Sequence, residues 1–134
     1  MATSGIELSL SPGSNLPAVS VVLPVLNEEL HLANAVNSIL SQDYAGTLEI
    51  ILALGPSKDK TNEIAKKLEI TDSRIKLVEN PSGQTAAGLN LAIAKSNYEI
   101  ICRIDGHSEI SKDYISRAIK IMQNTNAVNL GGVM

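Results

Sequence analysis

Phenylalanine and tryptophan are absent from this chain, and three tyrosines are its only aromatics. A core built on aromatic rings is thereby excluded; Ile, Leu, Val and Ala must fill the interior. Aliphatic filling of that kind favours helices packed on a parallel sheet. A single cysteine, Cys102, excludes an internal disulfide and makes a cytosolic setting the default expectation. Its place in an apolar strand marks it as a core residue. No apolar run reaches the ~18 residues of a membrane span. No basic stretch followed by an apolar one marks a signal peptide at the N-terminus. The eleven Lys and Arg are scattered and the net charge is -3, so no nucleic-acid partner is expected. Neither GxGxxG after the first strand nor a Walker lysine motif is present, which disfavours a dinucleotide or P-loop site.

What remains is a globular composition, 44% hydrophobic and 19% charged over 134 residues. That length suits one domain, able to bury roughly two-thirds of its unfolded surface. Residues 1–17, rich in Ser, Gly, Pro and Asn, read as a flexible leader. Val19 to Leu23 is a β-branched run closed by Pro24, the pattern of a buried parallel strand. Leu32, Ala35, Val36, Ile39 and Leu40 then form a helical stripe, with Asn27-Glu28-Glu29 at its start. Leu48 to Leu54 is the second strand. Ser57 is the expected N-cap of a helix carrying Ile64, Ala65 and Leu68. Arg74 to Val78 alternates as a half-exposed third strand, and Asn80-Pro81-Ser82-Gly83 is a turn. A small-residue helix follows over Thr85–Ala94, with Gly88 read as a close-packing position. Ile100 to Ile104 is the fourth strand, a last helix turns Tyr114, Ile115, Ala118, Ile119 and Met122 to one face, and Ala127 to Leu130 begins a fifth strand. This order predicts an α/β fold: a doubly wound, mostly parallel sheet with helices on both faces. The chain stops at Met134 with no closing helix, and the expectation is a domain incomplete at its C-terminus.

Ligands of open α/β sheets bind beyond the carboxyl ends of the strands. Three loops leave such ends: Pro24 to Glu28, Leu54 to Asp59, and Asp105-Gly106-His107. The carboxylate of Asp105 and the imidazole of His107, two apart on a glycine turn, suit Mn²⁺, and the carboxylate suits Mg²⁺. Taken alone, Asp-Gly is also an ordinary turn dipeptide. Arg103 is a charge inside an apolar strand and must reach an edge or a partner, with Asp105 or a bound diphosphate as candidates.

Together these segments resemble the nucleotide-binding half of family 2 glycosyltransferases, which have the GT-A fold. The likeness rests on VSVVLPVLNEE (Val19–Glu29), Ile50–Thr61, Asn80–Ile93 and Glu99–His107, and covers roughly residues 18–134. It is nearest to the succinoglycan-type branch with D-x-H at the metal loop. The resemblance implies a nucleoside-diphosphate sugar lying across the strand ends. It implies a divalent metal, Mn²⁺ or Mg²⁺, on Asp105 and His107, with Asp105 also at the donor. Pro24, Leu26 and Glu28 match positions lining the nucleoside pocket, and Leu54 and Gly55 match the loop that reads the base. A glycan or lipid-linked acceptor, a role in polysaccharide or cell-envelope synthesis, and a place at the inner face of the cell membrane through a C-terminal region absent here are implied as well.

Three departures qualify the match. Leu54-Gly55-Pro56-Ser57 stands where the family has V-D-D-G-S, and Leu89-Asn90 where it often has Arg-Asn. No position matches the family's catalytic base, which lies in its second half. Glu109 and Asp113 read as a solvated helix start instead, so no catalytic residue is expected, and the fragment alone should bind donor without transferring it. A non-catalytic, degenerate nucleotide-sugar-binding module is the alternative. A receiver domain of the response-regulator type fits poorly, because Pro24-Val25 and Glu79-Asn80 stand where it needs acidic residues.

Overall fold

A computed structural model describes residues 16–125. The expected fifth strand at Ala127–Leu130 and nearly all of the leader lie outside them. Four strands, β1 (Val19–Val25), β2 (Leu48–Leu54), β3 (Ile75–Glu79) and β4 (Ile100–Arg103), form one sheet in the order β3-β2-β1-β4. All described pairings are parallel. Four helices connect or follow them: α1 (Leu32–Leu40), α2 (Thr61–Thr71), α3 (Thr85–Lys95) and α4 (Tyr114–Thr125). Among the described residues no helix is long and apolar enough to cross a membrane.

Strand periodicity sorts the core into two layers. Val19, Val21 and Leu23 of β1, with Leu48, Ile50 and Leu52 of β2, point to the face covered by α1, α2 and α4. Leu32, Val36 and Ile39 of α1 and Ile115, Ala118 and Ile119 of α4 fill that layer. Val22, Ile51 and Ala53 point the other way, onto Ala92 and Leu89 of α3. Helices therefore cover both faces, as the apolar pattern predicts. The thinner layer under α3 needs small residues. A Cβ on Gly88 would lie 2.8 Å from Asn80 Nδ2 and 3.5 Å from Ala53 Cβ.

Several strand ends differ from expectation by one or two residues, and the end of β1 and the start of β3 do so for physical reasons. β1 runs through Pro24 to Val25, because Pro24 pairs with Ala53 on the β2 side. Its missing N–H faces β4, where the last paired residues are Val22 and Arg103 and Ile104 N–H still donates to Val22 O at 3.1 Å. β3 starts at Ile75 because Arg74 is turned onto Asp72, which accepts from its backbone N–H and its guanidinium. That contact holds the Asp72 carboxyl down at about 2.

One carboxylate is buried under the sheet's amino ends. Glu49 is 4% exposed and accepts from Ser20 Oγ (2.5 Å), Lys76 Nζ (2.9 Å), the Asn97 backbone N–H (2.6 Å) and Asn97 Nδ2 (3.1 Å). Burial pushes its pKa up, but these donated bonds outweigh it, and the net shift is downward. The network ties β1, β2, β3 and the α3–β4 connection together.

Candidate functional site

The chain runs from β1 outward to β2 and β3, then crosses back over the sheet to β4. The strand order thus reverses between β1 and β4, and a crevice opens at their carboxyl ends. Pro24 creates it locally: with no N–H to offer, β1 cannot extend its ladder toward β4 beyond Val22. The crevice holds a cleft of about 230 Å³. β1 and its loop contribute Pro24, Leu26 and Glu28; the β3–α3 turn contributes Asn80, Gly83 and Thr85. The β4 end contributes Arg103, Asp105, Gly106 and His107.

Alternation along β4 explains which side chains reach the cleft. Cys102 and Ile104 point into the larger core layer, whereas Ile101 packs toward α3. Arg103 and Asp105 follow Ile101 in parity, past the area that α3 covers. Arg103 Nη2 lies 4.0 Å from Asp105 Oδ1, with both side chains about two-fifths exposed. The turn closes through Ser108 N–H to Asp105 O at 3.1 Å. His107 Nδ1 then meets Glu28 Oε2 at 3.2 Å. Cys102 takes no part: burial pushes its thiol up to about 12, so it is no nucleophile at neutral pH.

The loops after β1 and β2 are clasped together. Asn27 is left-handed (φ 53°), and its backbone N–H donates to Ser57 Oγ at 2.9 Å. Its side-chain Oδ1 accepts from Lys58 N–H at 2.8 Å. Glu29 Oε1 accepts from Lys60 N–H at 3.0 Å, and Asp59 Oδ2 accepts from Glu29 N–H at 3.3 Å. Buried Thr61 joins both sides: its Oγ1 accepts from Glu28 N–H at 2.8 Å and donates to Asp59 Oδ1. The Thr61 hydroxyl is the main cause of Asp59's lowered pKa. One expectation is corrected here. Ser57 is not a helix cap: it serves the neighbouring loop, and α2 starts at Thr61, four residues later. Asn27-Glu28-Glu29 stand at the start of α1 as read, with Glu28 O accepting from His31 N–H at 3.1 Å and Leu32 N–H at 2.9 Å, while the Glu28 and Glu29 carboxylates serve His107 and the clasp.

Five of the residues singled out in the sequence, Pro24, Leu26, Glu28, Asp105 and His107, line this one cleft. Leu54 and Gly55 line an adjoining depression with Pro56, Asn62 and Lys66. Leu26 stands between the two: a Cβ on Gly55 would lie 3.0 Å from one of its methyls, and one on Gly83 3.9 Å from the other. Asn80 borders both hollows and was legible only as a turn residue. It is 3% exposed, donates from Nδ2 to Gln84 O at 3.0 Å and accepts from Ser82 Oγ at 3.1 Å. Thr85 was read only as the first residue of the small-residue helix, which is where α3 begins. Glu109 and Asp113 lie outside the cleft lining. Asp113 pairs with Arg117 at 3.2 Å and with Ser111 Oγ at 2.9 Å, as a solvated helix start should.

Among the described residues no group of three His, Cys, Asp or Glu side chains is placed to hold a metal. Asp105 and His107 offer one carboxylate and one imidazole to the same cleft, a donor pair compatible with Mn²⁺ when further ligands come from a bound molecule.

The family model for Glycosyl transferase family 2 matches residues 20–134. An uncharacterized glycosyltransferase of Haemophilus influenzae is 31% identical over 119 residues, covering 88% of this chain and 47% of its own length. The succinoglycan biosynthesis protein ExoA of Rhizobium meliloti is 29% identical over 109 residues, covering 80% of this chain and 33% of its own. In fold, the chain is similar to a mannosyltransferase from Pyrobaculum calidifontis solved with GDP-Man and Mn²⁺: TM-score 0.71, 24% identity, 90% of this chain and 36% of that one. The chain spans less than half the length of each of these proteins. It belongs to glycosyl transferase family 2, with the GT-A fold.

Proposed function

We propose that residues 18–134 form the donor-binding part of a glycosyltransferase, taking a nucleoside-diphosphate sugar across the carboxyl ends of β1, β2 and β4. The observation carrying this is the convergence of Pro24, Glu28, Arg103, Asp105 and His107 on one cleft at the strand-order reversal. The nucleoside lies along Pro24, Leu26 and Glu28, with the base toward the Leu54-Gly55 hollow. The diphosphate lies at Asp105 and His107, which hold the divalent ion. A metal bound there would supply Lewis-acid compensation for charge on the departing diphosphate. The chain's own residues bind and orient the donor: Glu28 fixes the His107 ring, and the clasped loops fix Glu28.

Transfer to a glycan or lipid-linked acceptor belongs to the whole protein. So does a cytoplasmic place at the inner membrane face. Polysaccharide or cell-envelope synthesis is favoured by the relative named for succinoglycan biosynthesis. No residue of this chain is assigned as the general base, whose loss typically costs ~10²–10⁴ in rate; the fragment alone binds donor and does not turn it over. A degenerate binding module is the second reading, favoured by Leu54-Gly55 where the family carries two aspartates.

Calorimetry with UDP and GDP, in Mn²⁺ and in chelator, tests the reading. Tighter binding with Mn²⁺, lost in Asp105→Ala and kept in Glu109→Ala, is the expected outcome. Equal affinity with metal and chelator, or the reverse order of the variants, rejects it.

A further inference from the structure

Arg103 lines the cleft but is given no contact in the proposed donor site, yet among the described residues it is the one fixed cation on the cleft lining. It follows Ile101 in strand parity, and the α3 face of β4 is open at that point. Its only carboxylate partner among the described residues is Asp105, at 4.0 Å, a loose approach that leaves guanidinium donors unused. The same cleft is lined by Gly83 and Thr85, at the start of α3. That helix is eleven residues long and its N-cap, Gln84, makes no side-chain cap bond. The N-terminal end of its dipole therefore faces the same space with positive partial charge. Opposing these are two carboxylates, Glu28 and Asp105. Glu28 is engaged with His107, and Asp105 is committed to the ion in the proposed reading. Meanwhile the position in α3 where the family often has arginine is Leu89, which packs in the core layer beneath the helix.

We infer that Arg103 is a diphosphate-binding residue, its guanidinium meeting phosphate oxygens directly at the β4 end of the cleft. This rests on the nucleotide-binding reading and deepens it. Donor diphosphate is then gripped in two ways: through the ion at Asp105 and His107, and through the charged fork of Arg103, a geometry that suits phosphate. The second grip does not need the metal. It also leaves a distinct signature at Asp105, because removing a guanidinium 4.0 Å away relieves that carboxylate of a competitor for the ion.

The test compares the wild-type 134-residue chain with Arg103→Gln and Arg103→Lys. Calorimetry uses UDP and GDP in chelator and in Mn²⁺, and Mn²⁺ alone. Arg103→Gln should bind the nucleotide about tenfold more weakly in both buffers, the scale of a lost charge-assisted hydrogen bond. It should bind Mn²⁺ alone at least as tightly as wild type. Arg103→Lys should fall between, and the gap between wild type and Arg103→Gln should shrink at high salt. Unchanged melting temperatures show that folding is not the cause. Equal nucleotide affinity of wild type and Arg103→Gln in both buffers overturns the inference while leaving the metal reading intact. Absence of nucleotide binding by wild type in either buffer overturns both.

Discussion

Glu28 is held at both of its ends. Its backbone N–H is fixed by the buried Thr61 hydroxyl, and its carboxylate reaches His107 Nδ1 at 3.2 Å. An imidazole whose Nδ1 donates to a carboxylate presents Nε2 for coordination, and partners of this kind typically carry about 10–100-fold in metal affinity. Glu28→Ala should therefore weaken Mn²⁺-dependent nucleotide binding by about that factor. Glu28→Gln, which keeps an acceptor, should retain most of it. Calorimetric affinities for Glu28→Ala equal to wild type would show that His107 needs no such support. None of this was visible in sequence: Asn27-Glu28-Glu29 has the composition of a helix start and stands at one, and residue type alone does not say that these side chains also reach another loop and His107. Asp105 and His107 were legible because a carboxylate, a glycine and an imidazole beyond an apolar strand are close together in the chain. Their neighbours Asn80 and Thr85 come from a crossover of the sheet, which no local pattern encodes.

At the scale of elements, the order of strands and helices was legible, while strand ends shifted by one or two residues and α2 starts late. β2 matches its expected span from Leu48 to Leu54 residue for residue, since it is buried on both faces and its one polar residue, Glu49, is buried with hydrogen-bond partners. α2 begins late because the residues ahead of it hydrogen-bond to another loop, a long-range event. α3 sits where its small residues let it. Gly88→Val would drive a branched side chain against Asn80 Nδ2, 2.8 Å from an ideal Cβ, and against Pro24 Cβ at 3.4 Å. Overpacking of that kind costs about 1–3 kcal/mol, and the better helix propensity of the new residue recovers less than about 1 kcal/mol. A lower denaturation midpoint and weaker nucleotide binding should appear together in Gly88→Val, because Asn80 borders the cleft. A variant as stable as wild type would show that α3 can lift without consequence.

Across the whole molecule, stability should fall in acid. Glu49 has a folded pKa below its ordinary value, through hydrogen bonds that outweigh burial. Its contribution is complete above the unfolded pKa of about 4.3 and is lost as pH drops through the lower folded value. Asp72, held at about 2 by Arg74, acts in the same direction. Glu49→Gln should cost about 1.5–3 kcal/mol at pH 7, the range for hydrogen bonds to a charged group. It should also flatten the dependence of the urea midpoint on pH below about 5. An unaltered acid profile in that variant would place the acid-labile groups elsewhere. Because the Glu49 network lies at the amino ends of the strands and the cleft at the carboxyl ends, its loss should lower stability with little effect on nucleotide affinity measured where the variant is folded.

Pro24 gives the crevice its freedom of movement. Every other residue of β1 has a backbone N–H with which a neighbouring strand could pair, and a continued ladder would act as a zip between β1 and the turn at Asp105. The proline removes one tooth at the place where the two must part. The lips of the cleft can then spread to admit a ligand, or close on it, without breaking a main-chain hydrogen bond there.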